Sequence, residues 1–423
     1  MIRSLFQSRI VRILFLMGLR GSTITIKFSL TLYLAKFVDL ETVGLYGLIV
    51  SCSLSFPIII RAGLLGKIVR DLVDAEPERI ANDLFHYGLW LAGIYLMSLP
   101  VVGLVYATNA LGPYSALVPF IWLIVFLEHL MTDIMYLLST MRRPIPSLLI
   151  GFFQAIFWCV PFITASYLIT DLRHIDSLLA FWIAGTIVVL IVTLFALRHL
   201  QWAQIRRPNI AWYKKSLFES RYLLAMDGFG VIGQFADRFI IAIFLNLQLA
   251  GVYTLFDQIA TALYTLTISS IVQVGYPNLI SRFKGNNFQL ALDSLKKLRL
   301  EAVGAYIAMG ITISILFAFV HQYLDKPMIG DFQTLLWFVL VSWCMRIATQ
   351  LEFISLYAMG RDLRNLVSSI LGTICFLVFL ALLLPIFGVY GVPLSILLGS
   401  CLMFTYLHLW LRKQNTLRHV EIK

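Results

Sequence analysis

The sequence predicts an all-α integral membrane protein, with about twelve transmembrane helices in two parallel six-helix repeats and both ends in the cytoplasm. Three observations carry this reading. Of 423 residues, 60% are hydrophobic and only 13% charged, about half the charged share of an ordinary soluble domain. The apolar residues come in runs of about 20, the length that crosses the hydrocarbon core of a bilayer. The basic residues gather on alternate connections between those runs.

The runs fall at about 13–36, 44–66, 84–108, 114–139, 147–170, 177–199, 222–245, 251–276, 301–323, 332–359, 366–385 and 390–411. Backbone groups in lipid must bond within their own segment, so each run is read as a helix. The ends and connections on one side hold 25 Lys and Arg; those on the other hold only Lys36, Arg173 and Lys326. Basic loops stay in the cytoplasm, so both termini are placed inside and the number of spans is even. The same bias accounts for the net charge of +11 without nucleic acid as a partner. Arg3, Arg9 and Arg12 precede the first run, which has no short apolar core with a small-residue cleavage site and is read as a retained span. The five cysteines are scattered through apolar runs without metal spacing, so no disulfide framework, metal or other cofactor is expected.

The chain repeats itself. Residues 35–48 align with 242–255 at an offset of 207, placing Gly44 on Gly251, Tyr46 on Tyr253 and Leu48 on Leu255. The offset divides the chain into an N-terminal bundle (1–199), a basic linker (200–221) and a C-terminal bundle (222–423). Six spans per half is an even number, so both halves enter the membrane in the same sense and their pseudo-two-fold axis lies along the membrane normal.

Charges within spans cost about 2.5–3.5 kcal/mol each at a helix centre on insertion scales, and each one therefore needs a reason. Arg20, Thr23, Lys27 and Thr31 share one face of the first span, and their repeat equivalents are Asp227, Gly230, Gln234 and Arg238, with Asp237 one residue off the stripe. Both stripes are expected to face the axis between the halves. Met141-Arg142-Arg143 and Met359-Gly360-Arg361 close the fourth and tenth spans and match Glu128 to Arg346. Arg20, Lys27 and Arg346 are the candidate substrate-binding cations. Glu128 and Asp133, with His129 between them, are the candidates for ion coupling. Asp227, Gln234, Asp237, Arg238 and Asp257 are read as cavity-lining or structural, with Asp237 and Arg238 a candidate pair between helices. Arg61 is expected to reach the cytoplasmic interface, Glu352 to be either interfacial or paired, and Trp182, Trp202, Trp212, Trp337 and Tyr323 to be interface anchors.

The motif Phe37-Val38-Asp39-Leu40-Glu41-Thr42-Val43-Gly44-Leu45-Tyr46 resembles the turn between the first two helices of polysaccharide-lipid flippases. These are Wzx-type O-antigen and related transporters of the multidrug/oligosaccharidyl-lipid/polysaccharide (MOP) exporter superfamily. Asp237-Arg238 followed by Gly251-Val252-Tyr253 resembles the same feature of their seventh and eighth helices, and the stretch from Leu384 to Pro393 resembles the turn before their last helix. Two positions depart from the pattern: Glu41 or Thr42 stands where the family has proline, and Pro393 where it has a small residue.

The resemblance implies a MATE-like fold in the bacterial inner membrane. It implies movement of an undecaprenyl-pyrophosphate-linked oligosaccharide from the cytoplasmic to the outer leaflet, ion-coupled or not, beside a glycan polymerase and chain-length machinery. Two other readings stay open: a cation-coupled multidrug exporter of the same superfamily, and a membrane-embedded glycosyltransferase or polymerase. The second would need a sizeable hydrophilic loop, and the outer connections near 171–176 and 321–331 are short. No glycine-rich nucleotide loop is present, which weighs against an ATP-hydrolysing enzyme.

Overall fold

The computed structural model describes residues 9–72, 77–141, 143–196, 208–284 and 288–421. Among the described residues there is no strand, and each of the twelve expected apolar runs is mainly helical over its described part, the run at 44–66 being broken by a turn at 61–63. The long helices are α1 (Arg9–Phe37), α2 (Leu40–Ile60), α4 (Pro77–Thr108), α5 (Val118–Thr140), α6 (Pro144–Leu168), α7 (Ile175–Ala196) and α8 (Ile210–Phe244). They continue with α9 (Leu247–Thr267), α11 (Phe288–Val320), α13 (Leu335–Ala358), α14 (Asp362–Phe387) and α15 (Gly391–Glu421). Three shorter helices are α3 (Leu64–Leu72), α10 (Gln273–Lys284) and α12 (Pro327–Asp331). A π-helical step, Ile268–Val272, joins α9 to α10. Nine stretches among the described residues are long and apolar enough to cross a membrane, and one of them, Asp362–Gln414, takes in α14 and most of α15. Helices α1 and α8 are not among the nine; they are the two that carry the charged stripes. Of the expected linker, 200–207 lies outside the described residues and 210–221 is the first part of α8.

The repeat motif has a physical basis at two levels. Asp39 caps α2 by accepting the Thr42 N–H at 2.6 Å, and Asn246 caps α9 by accepting the Leu249 N–H at 2.7 Å. Both pairs are related by the 207-residue offset, and each satisfies a donor that a helix start leaves without a partner. Beyond the caps, Gly44 sits against the Leu247 carbonyl and Gly251 against the Leu40 carbonyl, so each glycine clears the backbone of the other hairpin. Small residues permit such close backbone approach between helices in membranes.

By contact the chain forms two compact units. The first takes in residues up to Tyr33 and Leu48–Gly228; the second takes in Leu34–Gly47 and everything from Phe229 on. The first unit is centred on α5, α6 and α7, with Ile124, Trp158 and Phe162 fully buried. The second is centred on α9, α13, α14 and α15, with Phe256, Ile347 and Leu351 fully buried.

Candidate functional site

The second unit contains a cavity of about 200 Å³ walled by α8, α13, α14 and α15, with Tyr264 of α9. Gly230, Gly233 and Gln234 face it from α8, and Trp343, Arg346 and Gln350 face it from α13. Arg346 is half-buried near the middle of its helix. Its Nη2 donates to the Gly233 carbonyl at 2.7 Å, and its guanidinium lies 4.6 Å from the centre of the Trp343 ring. No carboxylate lines this cavity among the described residues. A guanidinium carries five N–H donors, and a single carbonyl takes only one of them. Gln234 of α8 and Arg346 of α13 thus line one cavity. A cation-lined, acid-free pocket favours an anionic guest and disfavours a cationic one.

A second layer orients this cation. Trp343 Nε1 donates to Asp257 Oδ1 at 2.8 Å, and Asp257 Oδ2 is paired with the Arg238 guanidinium. Arg238 also reaches the Gly47 carbonyl at 3.3 Å. Asp237 accepts the Tyr253 hydroxyl at 2.7 Å and the Arg238 backbone N–H at 2.8 Å. The expected Asp237–Arg238 pair is therefore part of a larger cluster, in which the side-chain partner of Arg238 on the neighbouring helix is Asp257. All three charged groups are buried, and such charges are tolerated in a membrane only when paired.

The first unit holds the remaining candidates. Glu128 is buried and accepts Gln154 Nε2 at 2.8 Å and Trp182 Nε1 at 2.7 Å. Trp182 stacks on Trp158 with ring centroids 4.6 Å apart. Trp182 is only 3% exposed; it holds a carboxylate and is not the interface anchor expected of it. Trp337 and Tyr323 are exposed near their span ends, and Trp202 lies outside the described residues.

Asp133 is held from three sides: by Arg61 through Nε at 2.7 Å and Nη2 at 2.6 Å, by the Tyr87 hydroxyl at 2.5 Å, and by His129 Nε2 at 3.3 Å. Tyr95 reaches the other nitrogen of His129 at 2.9 Å. Arg61 corrects the expectation of an interfacial side chain. α2 ends in a turn through Ala62 and Gly63, both with positive φ, and Arg61 pairs with Asp133. Glu352 is likewise settled as paired: its side chain is 0% exposed and meets Arg299 of α11 and, at 3.1 Å, His408 of α15.

On α1, Arg20, Thr23 and Lys27 are half-buried and Thr31 is fully buried. Lys27 and Glu128 both lie within electrostatic range of Cys159 on α6. Asp227 is half-buried with Arg61 in range. Sequence reasoning missed Gln154, Tyr87, Arg299, His408 and Gln350. Each is a single polar residue in or beside an apolar run, and its importance comes from the helix it packs on.

This arrangement is that of a polytopic helical membrane protein with charged residues held inside its bundles. No family model matches the chain, and no curated protein sequence does. Solved structures do, across nearly the whole length. The inward-facing conformation of a multidrug resistance MATE family transporter of the MOP superfamily matches with a TM-score of 0.71 at 14% identity, covering 94% of this chain and 95% of that one. The lipid II flippase MurJ in an inward closed conformation matches with a TM-score of 0.72 at 13% identity, covering 92% and 86%. A Vibrio cholerae MATE transporter matches with a TM-score of 0.60 at 15% identity, covering 97% and 96%. The chain therefore has the all-α fold of MOP-type membrane transporters.

Proposed function

We propose that this protein is a Wzx-type flippase of the MOP superfamily, carrying a polyprenyl-pyrophosphate-linked oligosaccharide from the cytoplasmic to the outer leaflet of a bacterial inner membrane. The observation that carries the proposal is Arg346, a guanidinium bonded to the Gly233 carbonyl in a cavity that no carboxylate lines among the described residues. Guanidinium binds phosphate oxygens through parallel N–H bonds and keeps its charge in a low-dielectric site. Arg20 and Lys27 are proposed as further cationic contacts for the pyrophosphate, and Glu128 and Asp133 as the ion-coupling carboxylates. The pathway's glycan polymerase is the expected partner. A multidrug exporter is the competing reading, and a cavity lining without a carboxylate among the described residues weighs against a lipophilic cation as guest.

The test is export of surface glycan in a strain lacking its own flippase, with membrane levels of each variant measured in parallel. Arg346→Ala is expected to abolish export at unchanged protein level, and Arg346→Lys to restore part of it, because lysine keeps the charge and loses the planar fork. Full export by Arg346→Ala would refute the assignment.

A further inference from the structure

The cavity behind Arg346 contains more than an anion needs. A phosphate is satisfied by charge and N–H donors. Here two uncharged carboxamides, Gln234 of α8 and Gln350 of α13, line the same space, and neither is engaged in a hydrogen bond with a described residue. Each amide offers donors and an acceptor side by side, which matches a hydroxyl group that must both give and receive. The walls add the rings of Phe229, Tyr264 and Phe353, flat apolar faces of the kind that fill a pocket while leaving polar groups to set orientation. Room is kept by Gly230, where a Cβ would meet nothing within 4 Å. A cation, neutral amides and apolar ring faces together describe a guest with one anionic end and a neutral, hydroxyl-rich body of alternating polar edges and C–H faces.

We propose that this cavity is a subsite for the sugar ring joined directly to the phosphate, with Gln234 and Gln350 as its specificity-determining residues. The inference rests on the flippase reading for its setting, and it adds where the first sugar is read and by which groups. Arg346 holds the phosphate oxygens, the amides hold ring hydroxyls, and the ring faces exclude water. Because the two amides stand on different helices, the substrate's first sugar is recognised by the relative placement of α8 and α13, and replacing either amide alone removes only part of the recognition.

The experiment uses the full chain in lipid nanodiscs and calorimetric titration with three kinds of probe: inorganic phosphate, a panel of hexose and N-acetylhexosamine 1-phosphates, and the corresponding free sugars. At least one sugar 1-phosphate is expected to bind about tenfold or more tightly than inorganic phosphate, since a site built to pair hydroxyls discriminates strongly against a guest that lacks them. The Gln234→Leu, Gln350→Leu double variant is expected to keep phosphate binding and lose that gain, and Gly230→Leu to block the sugar phosphates while leaving inorganic phosphate bound. A panel in which no sugar phosphate exceeds inorganic phosphate overturns the subsite, as does a double variant that retains the preference. Sugar binding without any phosphate binding sinks the role of Arg346 and leaves the subsite standing; loss of all binding sinks both.

Discussion

The glycine pair near the starts of α2 and α9, Gly44 and Gly251, gives the sharpest quantitative test of the structure. A Cβ added at Gly251 would stand 2.0 Å from the Leu40 carbonyl oxygen, and one added at Gly44 would stand 2.2 Å from the Leu247 oxygen. Carbon atoms of that kind do not come within 3.0 Å of a neighbour. Each single alanine substitution must therefore push the two hairpins apart by about 1 Å, and the obstacle is backbone, which cannot swing aside. Overpacking of this kind costs about 1–3 kcal/mol. Against it stands the helix propensity of alanine, about 1 kcal/mol better than glycine. Gly44→Ala and Gly251→Ala are thus expected to lower stability by up to about 2 kcal/mol each, and the double variant by less than the sum, because one separation relieves both contacts. The control is Gly304→Ala in α11, where an added Cβ meets nothing within 4 Å and only the propensity gain remains. Unfolding midpoints of the purified variants in detergent would measure the difference. Equal midpoints for Gly251→Ala and Gly304→Ala would refute the close crossing.

Three further outcomes follow from the charges. Single cysteines placed at 67–83, 200–220 or 278–299 in a cysteine-free background are expected to resist an impermeant thiol reagent in intact cells, while those at 171–176 and 324–331 react; labelling of the 200–220 segment would invert the topology. Asp133→Ala should cost about 3–5 kcal/mol by leaving Arg61 without its carboxylate in a partly buried site, and adding Arg61→Met should recover much of that loss in an unfolding assay; no recovery would mean that the pair is not energetically coupled. If Glu128 carries the coupling ion, Glu128→Gln removes the dependence of glycan-lipid flipping on a proton gradient in proteoliposomes; full gradient dependence in that variant would leave Glu128 as the acceptor for Gln154 and Trp182 alone.

What could be read before folding was whatever lipid imposes on any chain. Apolar runs of span length must be helices because hydrocarbon offers no partner for a free amide, and the described part of each of the twelve runs is mainly helical. The repeat was legible too, since Asp39 with Gly44 and Asn246 with Gly251 are local requirements: a cap for a helix start and a residue without a side chain at a crossing. The pairing of charges was not legible. Adjacent residues on a helix point about 100° apart, so the neighbours Asp237 and Arg238 reach successive turns of α9, Asp237 taking Tyr253 and Arg238 taking Asp257, and only the rotation of α8 against α9 sets those partners. Arg61 looked like a side chain bound for the interface, and the fold pairs it with Asp133. Trp182 had the composition of an interface anchor, and the packing of α7 on α5 made it a hydrogen-bond donor to Glu128. The sequence alone determined that the chain is a set of apolar helices of span length, because transfer free energy and the need to bond the backbone within each segment both act along the chain. Helical spacing puts Arg346 and Gln350, four residues apart, on one face of α13; the tertiary structure alone decided that Gln234 joins them in one cavity, because that depends on how α8 and α13 are rotated toward each other, and no one-dimensional period encodes it.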